Sequence, residues 1–134
     1  MSDIVVPRTT DLPLSRGRSI TIRHELNHGE HVTMLARMYR ESADGQTRVD
    51  PLRTGDAVIV AYLVDWNLTD SSGRRLEIRG LGPDDVQAVL NNLRVPVVAE
   101  LKAAIEAHVD AQRDADDALK KTDSIDAPSL AISR

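Results

Sequence analysis

This chain has no cysteine and no phenylalanine, and Tyr39, Tyr62 and Trp66 are its only aromatic residues. Without cysteine there is no disulfide frame, no thiolate metal site and no cysteine nucleophile, which suits a reducing compartment. So few aromatics deny it the stacking platforms with which single-strand nucleic-acid binders hold bases. A net charge of −4 likewise argues against a grip on a phosphate backbone, so no nucleic-acid partner is expected. The longest apolar run falls far short of the roughly 20 residues of a membrane-spanning helix. The opening MSDIVVPRTTDLPLSRGRS has no apolar stretch of signal-peptide length. A soluble, intracellular protein with no membrane partner is expected.

What is present is an aliphatic core of alanine, valine, leucine and isoleucine in a chain of one-domain length, 134 residues. Its densest part is Leu52 to Ile78, LRTGDAVIVAYLVDWNLTDSSGRRLEI, in which Ala57 to Val64 is apolar without a break. Such a run must be covered on more than one side, so it marks the centre of the core. β-branched Val58, Ile59 and Val60 keep a buried strand open. The run nevertheless continues through Trp66 to Leu68, longer than a typical strand, which favours a helix capped by Thr54 with Leu52 as a staple. After the turn Asp70-Ser71-Ser72-Gly73, Leu76 and Ile78 alternate with Arg75, Glu77 and Arg79, a short strand suited to pairing with an earlier one.

That earlier strand is Ser19 to Leu26, where Ile20, Ile22, His24 and Leu26 alternate with Thr21, Arg23 and Glu25. Asn27-His28-Gly29 ends it. From Glu30, Val32, Leu35, Ala36, Met38 and Tyr39 recur at helical spacing to about Glu41, and polar Ser42 to Arg53 reads as a loop. Gly82-Pro83-Asp84-Asp85 is a strong helix start, followed by the apolar face Val86, Val89, Leu90 and Leu93. Pro96 begins a last helix with the stripe Val97, Val98, Leu101, Ala104, Ile105, His108 and Val109. These elements predict an α+β, mainly α fold: about four helices and a small two-stranded sheet in a single domain over 19–121. Residues 1–18 are expected as an extended N-terminal arm and 122–134 as a flexible C-terminal tail.

His24-Glu25-Leu26-Asn27-His28 spells the HExxH pattern of zinc hydrolases, with His31 nearby as a third ligand. That chemistry needs both histidines on one helical face, one turn apart, with the glutamate beside a zinc-bound water. Here the flanking residues alternate as a strand, Asn27 and Gly29 are poor in a helix interior, and His31 does not follow the longer metzincin spacing. A zinc hydrolase using His24, Glu25 and His28 is therefore a remote alternative. His108 reads as a core-edge histidine. Asp84 and Asp85 are explained by the helix start, Asp114, Asp116 and Asp117 by a solvated face, and no glycine-rich phosphate loop occurs. No catalytic, cofactor or metal residues are expected, and the protein is not expected to be an enzyme.

Several words, in this order, resemble the tail assembly chaperones of long-tailed bacteriophages. They are the strand running into Asn27-His28-Gly29-Glu30 and its helix to Arg40, Thr54-Gly55-Asp56, Ala61 to Trp66 (AYLVDW), Asn67-Leu68-Thr69-Asp70 with Gly73, the Leu-Gly-Pro-Asp-Asp helix start, and the Ile105 to His108 helix. The match spans about Ser19 to Asp110. It implies a small protein of the host cytoplasm that binds the tape measure protein, keeps its apolar helices soluble and helps recruit tail tube subunits. It further implies absence from the finished particle and, often in the family, a longer form made by frameshifting. A different class, a structural part of the tail or of the head-to-tail connector, stands as the alternative. Such a chaperone needs apolar surface for helices rather than an active site. The candidates are Val86, Leu90 and Leu93 on one helix and Val98, Leu101, Ile105 and Val109 on the last, and self-association stays open.

Overall fold

In the computed structural model, which describes residues 2–132 and their side chains as far as Lys120, the element order is β1 (Thr9–Pro13), β2 (Ser19–Arg23), α1 (His28–Met38), β3 (Tyr39–Glu41), β4 (Thr47–Val49), α2 (Pro51–Tyr62), β5 (Leu63–Trp66), α3 (Pro83–Leu90) and α4 (Val95–Ile132). Four helices therefore accompany an antiparallel three-stranded sheet, β1-β2-β5, and a separate β3-β4 hairpin. The mixed, mainly helical class follows the sequence. The tail expected over 122–134 falls beyond the described side chains. No helix among the described residues is long and apolar enough to cross a membrane.

The strand forms from Ser19 as its alternation predicts, with Ile20 and Ile22 fully buried. It ends at Arg23 rather than Leu26, the chain bending at His24 and Glu25 ahead of the capping box of α1. The strand's partners differ from expectation. β1 lies on one side, with Thr10 opposite Ile22 and Leu12 opposite Ile20, and β5 on the other, with Ile20 opposite Trp66. The N-terminal segment, expected as an extended arm, thus carries an edge strand over Thr9–Pro13. Ladder bonds to β2 and the packing of Leu12 on the core hold a segment whose own composition is too polar to announce a strand. Arg74 to Arg79, the expected partner of β2, instead folds back on β5's continuation. Thr69 bridges Arg75, and the Leu76 N–H donates to the Leu68 carbonyl at 2.8 Å.

The apolar run of Ala57 to Val64 divides. It is helix as far as Tyr62, where the Leu63 N–H donates to Ile59, and strand from Leu63. The expected helix through Leu68 is cut short because the open edge of β2 offers ladder bonds to a segment with β-branched Val64. In the extended form Asp65 also meets Arg75. The start of α2 is earlier than expected. Asp50 caps it by accepting from the Leu52 N–H at 3.0 Å, with Pro51 in the first turn, while the Thr54 hydroxyl donates to the Asp50 carbonyl. Leu52, expected as a staple, is 88% exposed. The stretch read as a loop holds β4 and the hairpin's turn at Gly45, with φ of +80°. β3 takes Tyr39 to Glu41, the end of the helix expected from Glu30, because α1 stops at Met38 where the chain pairs with β4.

The core joins Ile20 and Ile22 of β2, Ile59, Val60 and Tyr62 of α2, Leu63 and Trp66 of β5, Val86 and Leu90 of α3, and Leu101 and Ile105 of α4. Ile78 and Leu68 close it from the loop after β5. Gly55 gives α2 room against α4, since a Cβ there would meet the Lys102 side chain at 2.9 Å.

Helix α1 begins with a complete capping box: the Asn27 side chain accepts from the Glu30 N–H at 2.8 Å, and the Glu30 carboxylate accepts from the Asn27 N–H at 3.0 Å. Asn27→Ala is expected to cost about 1 kcal/mol of stability, read as a shift in urea midpoint without a change of slope. No shift would mean that α1 contributes little to the cooperative unit.

Candidate partner-binding surface

The seven apolar residues proposed from sequence separate into two groups. Val86, Leu90, Leu101 and Ile105 are buried in the protein's own core, so they are not available to a partner. Leu93, Val98 and Val109 are half-buried at its margin. A helical apolar stripe announces burial without saying against what, and here α2 and the sheet supply the answer.

Beside Leu93 lies a cleft of about 1230 Å³. One wall is the turn after β5, with Leu68, Thr69, Asp70 and Leu76. The other is the elbow between α3 and α4, with Val89, Leu93 and Val97, and the turn Ser15–Gly17 closes the end. Glu100 ties that end turn to α4: its carboxylate accepts from the Ser15 N–H at 2.7 Å, the Ser15 hydroxyl at 3.0 Å and Arg18 at 3.0 Å. The Ser15 N–H, with help from its hydroxyl and from Arg18 and Arg16, holds the Glu100 carboxyl below its usual range against the opposing effect of desolvation. Within the turn, Arg16 and Gly17 both take left-handed backbone, at φ of +58° and +71°. The Arg16-Gly17-Arg18 sequence carried a signal for a basic tight turn; nothing in the sequence joined it to Leu93.

A second apolar surface lies on α1, which buries none of its residues completely. Met34 packs on the core, whereas Val32 and Leu35, on another side, are 48% and 37% exposed. The hairpin continues this exposed character, with Tyr39 paired opposite Val49 and neither covered.

The HELNH segment is divided among three structures. His24 follows β2, Asn27 caps α1, and His28 lies exposed in the first turn of α1, as His31 does in the next. The neighbour of His24 is His108 of α4, ring centres 5.2 Å apart and edge-on. His108 Nε2 donates to the His24 carbonyl at 2.8 Å, Gln112 donates to the same oxygen, and the Thr10 hydroxyl is hydrogen-bonded to His24 Nδ1 at 2.7 Å. Burial first, then the charges of Arg8 and His108, push the His24 pKa down, with Glu25 opposing. This group fastens α4 to the end of β2. Among the described residues no three His, Cys, Asp or Glu side chains gather where they could hold a metal.

Asp65 is the one buried charged residue of the described chain. Burial disfavours its charged form most strongly. The hydrogen bond from Arg75 at 2.7 Å, that from the Trp66 N–H, and the charges of Arg75 and Arg79 outweigh burial and hold the carboxyl below its usual range. A depressed folded pKa stabilises the fold above the unfolded value of about 3.9 and is lost as pH falls toward the folded one. The stability difference between wild type and Asp65→Asn is therefore expected to be full at pH 7 and to shrink below about pH 4. Urea titrations at both pH values measure it, and a constant difference would remove the Arg75 pair as its source.

No protein-family model, curated protein or solved structure matches this chain.

Proposed function

We propose that this protein is a tail assembly chaperone of a long-tailed bacteriophage. It acts in the host cytoplasm, binds helical segments of the tape measure protein, keeps them soluble, helps recruit tail tube subunits and leaves before the particle is complete. The observation that carries the reading is the open, apolar-floored cleft, because one of the segments that resemble the family, Leu68-Thr69-Asp70, lines it. That segment forms one wall, and the end of α3, at Val89, begins the other. Half-buried Leu76, Val89, Leu93 and Val97 give that cleft the lining a helix-in-groove contact uses. Exposed Val32 and Leu35 on α1 add apolar surface elsewhere.

Mass spectrometry of purified particles, compared with the lysate of infected cells, separates this role from that of a structural tail or connector component. The chaperone is expected in the lysate and missing from the particle. Stoichiometric copies in the particle would overturn the reading.

A further inference from the structure

The lining of the cleft carries Arg16, Arg18 and Arg94 against Asp70 and Glu100. The Asp70 carboxylate is occupied within its own turn, accepting from the Ser72 N–H and hydroxyl and from the Arg74 N–H. The Glu100 carboxylate is occupied by Ser15 and Arg18. Arg16 and Arg94, both exposed on the rim, make no ion pair among the described residues, whereas Arg18 is committed to Glu100. Helix α4 carries no acidic residue in its first turn, so its positive end at Val95 adds to that rim instead of being neutralised locally. An apolar floor thus lies under a rim of three arginines against two acids, Arg16 within the field of Glu100 and Arg94 without an ion pair among the described residues, on a chain whose net charge is −4. The space, about 1230 Å³, exceeds the roughly 300–1,000 Å³ of small-molecule sites and is open to solvent.

We propose that this cleft binds an acidic amphipathic helix of a partner protein. The partner's apolar side chains lie on Leu76, Val89, Leu93 and Val97, and its carboxylates, flanking that stripe, pair with Arg16 and Arg94. The proposal rests on the partner-binding reading above in taking a protein helix as occupant, and it adds the charge pattern that such a helix must carry. Large apolar residues at i, i+3, i+4 and i+7 supply the buried contact. The arginines fix orientation and raise the association rate, so binding weakens as salt rises. The left-handed backbone at Arg16 and Gly17, held by the Glu100 clasp, keeps the cation at the end of the cleft before a partner arrives.

The test uses the full chain and a fluorescein-labelled synthetic helical peptide of about five turns, with leucines at those four spacings and glutamates beside them. A second peptide has lysine for every glutamate. In anisotropy titrations the glutamate peptide is expected to bind at least tenfold more tightly than the lysine peptide, and the difference is expected to narrow in high salt. Arg16→Gln/Arg94→Gln, two exposed neutral replacements that bring no acid beside Glu100, is expected to abolish the preference while the circular dichroism and melting temperature stay close to those of the wild type. Val97→Asp is expected to weaken both peptides. Equal binding of the two peptides, or an unchanged preference in the double variant, would overturn the proposal. So would a wild-type dimer that the double variant dissolves, since the occupant would then be a second copy. Coexpression with the tape measure protein keeps the two claims apart. If wild type and double variant keep that protein soluble equally well, the cleft is wrong and the chaperone role stands. If neither does while the glutamate peptide binds selectively, the cleft stands and the role fails.

Discussion

Leu101→Ala is expected to remove about 2–5 kcal/mol of stability, the range for deleting a fully buried leucine side chain. Leu101 has no exposed surface and lies in the core cluster on the helix that packs against α2, so its removal leaves a cavity in close-packed surroundings. Its neighbour one turn on, Ile105, is equally buried, which limits how far α4 can settle into the space. For a domain of this size the loss lowers the melting temperature by roughly 10–20 °C. The control is Leu119→Ala on the same helix: Leu119 is 60% exposed, and its change is expected within about 0.5 kcal/mol. Urea denaturation of the three proteins measures both. A loss below 1 kcal/mol for Leu101→Ala would mean that α4 is not a wall of the core.

Trp66→Ala is expected to cost about 3–5 kcal/mol, and its effect reaches further along the chain. Trp66 is buried in β5, and its indole N–H donates to the Leu76 carbonyl at 2.7 Å. Arg75 returns the connection by donating from Nε to the Trp66 carbonyl at 2.8 Å while its terminal nitrogen pairs with Asp65. One strand residue thus anchors the loop that brings Leu68, Leu76 and Ile78 to the core and the cleft. Trp66→Phe separates the two contributions. It keeps most of the apolar volume but leaves the Leu76 carbonyl without its donor, an expected cost of about 1–3 kcal/mol. Hydrogen exchange is expected to speed in residues 68–78 of Trp66→Phe well before it does in α4. Uniform acceleration across the chain would refute the anchoring role.

Local signals in the sequence reached the structure wherever one element was decided by its own residues. Alternation placed β2, the Asn27–Glu30 pair sits at the start of α1, and Pro83 and Pro96 mark the first turns of α3 and α4. The failures are places where a distant segment decides. AVIVAYLVDW satisfies helical and extended spacing alike, and only the vacant edge of β2 makes its end a strand. Thr9–Pro13 becomes a strand on the other edge of β2 with a single large apolar residue, Leu12. The hairpin of Tyr39–Glu41 and Thr47–Val49 is exposed on both faces and so has no period to read. The candidate surface was less legible than the fold for the same reason. Periodicity found the apolar faces of the last two helices, but their centres, Leu90, Leu101 and Ile105, meet the protein's own core. The cleft's cations come from 16 and 94, far apart in sequence and joined only by the Glu100 clasp and the packing around it.

The proposed role of this chain is to bind the apolar helices of a tape measure protein and keep them soluble. Coexpression of the two, with the tape measure protein also produced alone, tests it most directly by the fraction of that protein in the supernatant and its co-elution with this chain. The tape measure protein is expected to move from pellet to supernatant and to leave the column in one complex with this chain. A tape measure protein that stays in the pellet, with this chain eluting alone, would contradict it.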